Sequence, residues 1–224
     1  MDSRIVNREI KREVWPLLRE QGFKEFSSKT AWRYAPEQIH VVQFSSCNSY
    51  IAEGVGCTTF SFGVALGAYI RVVPRTYQIV AGKDPTVRPQ NYHCHFRHFL
   101  KKRIEQAALP RKDVWYVEPD GCNVLDVLAD AREVLKSEGL PWFDQFNSLE
   151  RVMDQLIEEE RLLNESTSRS SPMAKHIIGH IARHLGVEDV AESMMAAAAS
   201  QFEANRLLLS SIGRKRRSKA GPEA

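Results

Sequence analysis

The sharpest chemical pattern in the chain is Lys175-His-Ile-Ile-Gly-His-Ile-Ala-Arg-His-Leu185, which sets His176, His180 and His184 four residues apart. On an α-helix the members of such a series drift by only about 40° per step. Neighbours then have Cβ atoms roughly 5–6 Å apart, and His176 and His180 can share one zinc ion at about 2.0–2.1 Å. A metal-dependent enzyme acting on a phosphorylated or nucleotide substrate is what such a pair would serve. Against it, Ile177, Ile178, Ile181 and Leu185 already form an apolar stripe without the histidines. No Glu follows the first His as in the H-E-x-x-H helices of zinc proteases, and no third ligand is identifiable. A solvated or capping histidine face is therefore the stronger reading, with zinc as its alternative.

A second cluster is His93-Cys94-His95-Phe96-Arg97-His98. In an extended segment His93 and His95 project from one face and Cys94 from the other, which divides ligand types instead of gathering them. Cys47 with His40 would make a thiol nucleophile and base, but a lone Cys and His are weak grounds for catalysis and a core cysteine is favoured. Nucleophile-elbow, P-loop and dinucleotide patterns are absent; Gly54-Val-Gly-Cys-Thr58 lacks the Lys of a phosphate loop and reads as a glycine-rich hairpin loop. Trp32, Tyr34 and Trp115 lie near Arg33 and Arg97 and would stack nucleic-acid bases if exposed, although strand alternation assigns at least half of them to the core. The tail Arg214-Lys-Arg-Arg-Ser-Lys219 would attract nucleic acid or anionic lipid without sequence preference; a solubilising disordered end is its plainer reading.

The elements that must position these residues are those of an ordinary globular chain. With 43% apolar and 26% charged residues, 224 residues suffice for a core without disulfide or metal staples. The longest apolar run, Phe60 to Val73, is interrupted by Gly63, Gly67 and Arg71 and falls short of a membrane span. No secretory leader is visible after Met1-Asp2-Ser3-Arg4, so a cytoplasmic setting is expected. Four cysteines, Cys47, Cys57, Cys94 and Cys122, offer no C-x-x-C pair and are expected as free thiols. Charge is uneven: residues 1–112 hold 18 basic and 9 acidic side chains, residues 113–212 hold 8 and 18.

Val6, Ile10, Val14, Leu17 and Leu18 recur at helical spacing, with Pro16 breaking the last turns and Gly22 supplying the stop. The runs 30–34, 39–45 and 58–73, rich in aromatic and β-branched residues, predict an antiparallel meander, and 92–100 and 114–117 predict further strands. In the third run Phe60, Phe62, Val64 and Leu66 oppose Ser61, Gly63, Ala65 and Gly67, giving one bulky and one flat face, the latter fit for a packed helix or a partner. Residues 74–90 read as a loop. From Asn123 helices take over, with Gly139-Leu140-Pro141 expected to close the first and a second starting near Ser148. The polar run 164–172 reads as a linker, followed by a helical hairpin turned at Gly186 with an Ala-rich stretch, 196–199, for close packing.

Gly22-Phe23-Lys24, Gln43-x-Ser45, Phe62-Gly-Val-Ala-Leu-Gly67, His95-x-Arg97, Asp113-x-Trp115-Tyr116 and Leu140-Pro141-Trp142-Phe143 follow one another in an order that resembles domain of unknown function 4304, a bacterial family. The resemblance covers roughly residues 5–160. Gly63 and Ala65 depart from it, standing where polar side chains are expected. It implies an α+β fold and a bacterial, cytoplasmic setting, and carries no established activity. It also directs attention to His95 and Arg97, as an anchor reaching Asp113 or Glu118 or as an anion-binding pair, with Trp115 beside them.

The expectation is an α+β protein: a four- to five-stranded antiparallel sheet packed by an N-terminal helix and later helices over residues 1–163, a linker at 164–172, a helical hairpin at 173–212 and a disordered basic tail at 213–224. The expected function is a non-enzymatic binding module, of accessory or immunity type, that recognises another protein. The alternative is the metal- or anion-dependent enzyme, using His95 and Arg97 or His176 and His180. Self-association through Leu207 to Leu209 and nucleic-acid contact through the tail are further partner expectations; no cofactor is expected, zinc being the alternative.

Overall fold

In the computed structural model residues 3–74, 87–167 and 171–219 are described, apart from the side chains of Ser3, Thr167 and residues 207–219. The chain divides into two compact units, residues 1–71 with 75–146, and residues 72–74 with 147–224. The boundary expected at 163 therefore lies at 146, because the helix starting at Leu149 packs with the helices after it. Nor does the charge contrast between sequence halves separate the units: the first holds 20 basic and 17 acidic residues, the second 11 of each.

The first unit opens with α1 (Ser3–Glu13) and α2 (Trp15–Glu20), broken at Val14 with Pro16 in the first turn of α2, where its missing N–H costs nothing. Gly22, at φ 81°, turns the chain into the sheet. The sheet is an antiparallel meander in the order β1 (Glu25–Phe26), β2 (Thr30–Tyr34), β3 (Gln38–Ser46), β4 (Phe62–Ile70) and β5 (Phe96–Phe99). Its register sets Ala31 opposite Val42 and Val42 opposite Leu66, so these share a face with Phe44, Phe62 and Val64. That face carries the main core, closed by Val6, Ile10, Trp15 and Leu18 from α1 and α2 and by Val127, Leu128 and Ala131 from α4 (Val124–Val134). Each such side chain, fully buried, contributes roughly 1.5–3 kcal/mol.

Three local expectations give way. The segment expected as a glycine-rich hairpin loop begins as α3 (Ser49–Val55), with Asn48 Oδ1 accepting from Ile51 N at 2.8 Å and Gly56 closing the helix at φ 76°. The strand expected at 114–117 is a single bridge of Trp115 to Phe62. Side chains take up its other amides: Tyr116 N donates to Gln106 Oε1 (2.9 Å) and Val117 N to Ser61 Oγ (3.1 Å). Gly139 does not stop its helix, since α4 runs on through a wide π-turn at Leu135–Gly139 into α5 (Leu140–Trp142). Pro141 has no N–H to continue the regular ladder, which accounts for the wide turn. Gly139 is there for space: a Cβ would lie 2.7 Å from Leu135 Cδ1 and 3.2 Å from Leu100 Cδ1.

The second unit is helical. α6 (Leu149–Thr167) starts at Ser148, whose Oγ accepts from Arg151 N at 3.2 Å. α7 (Pro172–His184) starts at Ser171, whose Oγ accepts from Ala174 N at 3.2 Å, and α8 spans Glu188–Lys219 beyond Gly186 at φ 75°. The expected linker is shorter than 164–172, and the helix continues through part of the tail expected to be disordered from 213. α7 and α8 pack closely at Gly179, where a Cβ would meet Met195 Cγ at 2.5 Å and Ala191 O at 3.3 Å, and in the Ala-rich stretch Ala198 is buried. Residues 75–86 of the expected loop and the leucine side chains at 207–209 lie outside the described residues. Among the described residues no helix is long and apolar enough to cross a membrane.

Candidate functional site

The flat face foreseen on β4 is covered in part by the segment 87–95, and its small residues make that possible. A Cβ on Gly67 would lie 2.7 Å from Cys94 Cβ and closer still to its Sγ, so Cys94 occupies the space of the missing side chain. Around it the segment is bound to the sheet by polar groups: Trp32 Nε1 donates to Pro89 O (2.8 Å), Asn91 N to Gln43 Oε1 (2.8 Å) and Asn91 Nδ2 to Leu66 O (2.5 Å). Trp32, 4% exposed, is thus a core anchor and not a base-stacking platform.

The histidines serve the same end. His93 Nδ1 accepts from Gln90 N at 2.9 Å and His95 Nδ1 from Ile70 N at 3.0 Å. A ring nitrogen that accepts is bare, so in the neutral imidazole the proton sits on Nε2. His95 is fixed where it terminates β4, with Tyr69 against its ring at 5.2 Å, and the expected tie to Asp113 is replaced by the Arg111–Asp113 pair at 2.5 Å.

Beyond His95 the chain emerges as β5. Ala65 faces Phe99, Leu66 His98, Gly67 Arg97 and Ala68 Phe96, while Leu100 N donates to Val64 O at 3.0 Å. In that register the backbone groups of Phe96 and His98 face β4, and those of Arg97 and Phe99 point outward, beyond the last described strand. The side chains of Phe96 and His98 lie on the other face, against Phe146 (4.9 Å) and Trp142 (5.8 Å), with His98 itself exposed. Those of Arg97 and Phe99, on the flat face, are exposed, Phe99 by 58%, and exposed Lys101 follows. Arg97 is singled out by the sequence and Phe99 is not; the exposure of Phe99 is decided by the register that sets it opposite Ala65 on the flat face.

Trp115, also singled out, is 0% exposed: it stacks on Phe62 at 5.9 Å and its indole donates to Asp130 Oδ2 at 2.8 Å. It is a pin between the sheet and α4. In the second unit His176 and His180 do come together, ring centroids 4.5 Å apart, with Phe202 at 6.4 Å from His176. Burial, then the neighbouring His176 and Arg183, lower the pKa of His180. Among the described residues no group of three or more His, Cys, Asp or Glu is placed to hold a metal ion, and the exposed His184 does not complete one.

Sequence spacing missed a buried polar cluster on the core face. His40, 6% exposed, stacks on Phe143 at 4.7 Å, its Nδ1 accepts from Arg33 Nη2 at 2.8 Å, and its Nε2 meets Gln38 Oε1 at 3.2 Å. Burial and then the Arg33 charge hold its pKa down at about 3. The guanidinium lies over Phe23 and Phe143 at 5.2 and 5.4 Å. With both ring nitrogens engaged, His40 has none left to serve Cys47 as a base. The thiol of Cys47 is itself pushed up to about 12 by burial and by its hydrogen bond with Cys57. A shallow cleft at the other end of the sheet is lined by Val6, Ile10, Phe44 and Phe62, with Lys29, bound to Ser46 (2.5 Å), among its lining residues.

No curated protein and no solved structure matches this chain. The profile of one family, described as Domain of unknown function (DUF4304), matches residues 14–145, which runs from the helix break at Val14 to the end of the first unit and takes in every strand described above. Covering more than half of the chain, that match makes this protein a member of the DUF4304 family.

Proposed function

We propose that the first unit is a non-enzymatic protein-binding module of accessory or immunity type, which takes an extended, acidic segment of a partner protein as an added strand along β5. The observation that carries this reading is the pairing, on the last of the described strands, of outward backbone groups with the exposed side chains of Arg97 and Phe99. Backbone hydrogen bonds to an edge strand supply affinity, and alternate side chains supply specificity. Phe99 offers the apolar anchor. Arg97 and Lys101 favour carboxylates. A bacterial, cytoplasmic setting belongs to the same reading, the four free thiols being in keeping with a reducing compartment.

Native mass spectrometry of the protein purified from its own host tests this. A stoichiometric polypeptide is expected, lost from the Arg97→Glu/Phe99→Asp double variant and retained by Lys112→Glu. A complex that survives the double variant, or wild-type protein that carries no polypeptide, defeats the reading.

A further inference from the structure

The surroundings of α7 fix its rotation and leave one side of it to solvent. Ser171 Oγ accepts from Ala174 N at 3.2 Å, and Ser171 N donates to Oε1 of the buried Glu160 on α6 at 2.8 Å. Ile177, Ile178, Ile181 and Ala182 turn into the helical unit and are buried, while Gly179 lets α8 approach so closely that a Cβ would strike Met195. His176 and His180 are left half-buried beside this apolar stripe. Their ring centroids are 4.5 Å apart and the ring planes meet at 72°. Among the described residues neither ring takes part in a hydrogen bond or an ion pair, so their nitrogens are available to a ligand.

Two imidazoles one turn apart are the start of a zinc site and not the whole of it. Structural zinc takes four protein ligands in a tetrahedron, with imidazole nitrogen at about 2.0–2.1 Å. Within one chain no third His, Cys, Asp or Glu among the described residues joins the pair. A second copy of the chain supplies what is missing, because a two-fold axis through the metal brings up an identical pair and makes four nitrogens. The surface around the pair suits such a contact. Met173, three residues before His176 on the same side of α7, is 46% exposed, and Phe202 of α8, 6.4 Å from His176 between ring centroids, is 42% exposed. Apolar side chains around a metal restrict solvent access to it, and their burial against the second copy favours association.

We propose that His176 and His180 are half of a structural zinc site, completed by the same two residues of a second copy, so that one zinc ion joins two chains through their α7 helices. Magnesium, a hard cation that seeks oxygen ligands, does not substitute for it. This inference does not rest on the docking reading of β5, which concerns the other unit.

The test titrates zinc into the metal-free full-length protein and reads its state by native mass spectrometry and sedimentation. The expected result is a shift from one chain to two with one zinc per pair, reversed by EDTA and not produced by magnesium. His176→Gln and His180→Gln each abolish the shift, and His184→Gln leaves it in place. Circular dichroism of each variant in EDTA, expected to match wild type, separates loss of a ligand from loss of the fold. Zinc that binds single chains without pairing them overturns the proposal, as does a dimer that forms equally well in EDTA. A protein that stays monomeric and metal-free in excess zinc overturns it too, and so does a zinc-linked dimer that survives His176→Gln/His180→Gln.

Discussion

The buried His40 makes the stability of the first unit depend on pH in a way that can be calculated. Its pKa is about 3 in the folded chain against 6.5 for the free side chain. Between these values the unfolded chain binds a proton that the folded chain refuses, so stability rises with pH and is lost as pH falls below about 6.5. From pH 7 to pH 5 the expected loss is about 2 kcal/mol, and by pH 4 about 3 kcal/mol, at 1.36 kcal/mol per pKa unit. The matching variant is His40→Asn, whose side-chain carbonyl can accept from Arg33 where Nδ1 does, but which does not titrate. It loses the stack on Phe143 and starts from a lower, pH-independent stability. Urea unfolding of both proteins between pH 7 and pH 4 gives the comparison. All four tryptophans, Trp15, Trp32, Trp115 and Trp142, lie in the first unit, so their fluorescence reports that unit. The two stabilities should converge by about 2 kcal/mol on going to pH 5. If they run parallel, His40 takes up its proton in the folded state and the account of a buried neutral imidazole facing Arg33 is wrong.

Three further outcomes follow from the packing. Gly67→Ala should cost about 1–3 kcal/mol by overpacking against Cys94, and a Cys94→Ala background should return much of that in a double-mutant cycle; additive costs would separate the two residues. Trp115→Phe removes the indole donor to Asp130 and part of the stack on Phe62, with an expected loss of about 1–3 kcal/mol in urea unfolding. Arg97→Glu/Phe99→Asp, on the exposed face of β5, should leave stability within about 0.5 kcal/mol of wild type in the same assay. A larger loss would mean that these side chains hold the fold and are not presented to a partner.

Fold and site were legible to different depths. Helical spacing placed the first helix and its break at Pro16, and alternation of Phe62, Val64 and Leu66 against Gly63, Ala65 and Gly67 told the core face of β4 from the flat one. These signals are local: apolar period and backbone restriction act on residues a few places apart. Of the singled-out residues, His176 and His180 meet because i, i+4 neighbours on a helix must, and the sequence could show that.

What the sequence could not show depends on partners distant along the chain. Trp115 and Arg97 both read as aromatic or basic residues of a strand, yet one is sealed between Phe62 and Asp130 and the other is exposed, because β5 ends the sheet and the bridge at 115 lies against the core. Gly139 reads as a helix stop, and only the approach of Leu66 and Leu100 shows that it is a space left for the sheet. The sequence by itself determined the first helix and its break, the core and flat faces of β4 and the family, since these follow from the chemistry of neighbours. Which polar side chains meet, and which strand comes last among those described, was decided by the tertiary structure, because burial and hydrogen-bond partnership belong to pairs of residues that the chain brings together only on folding.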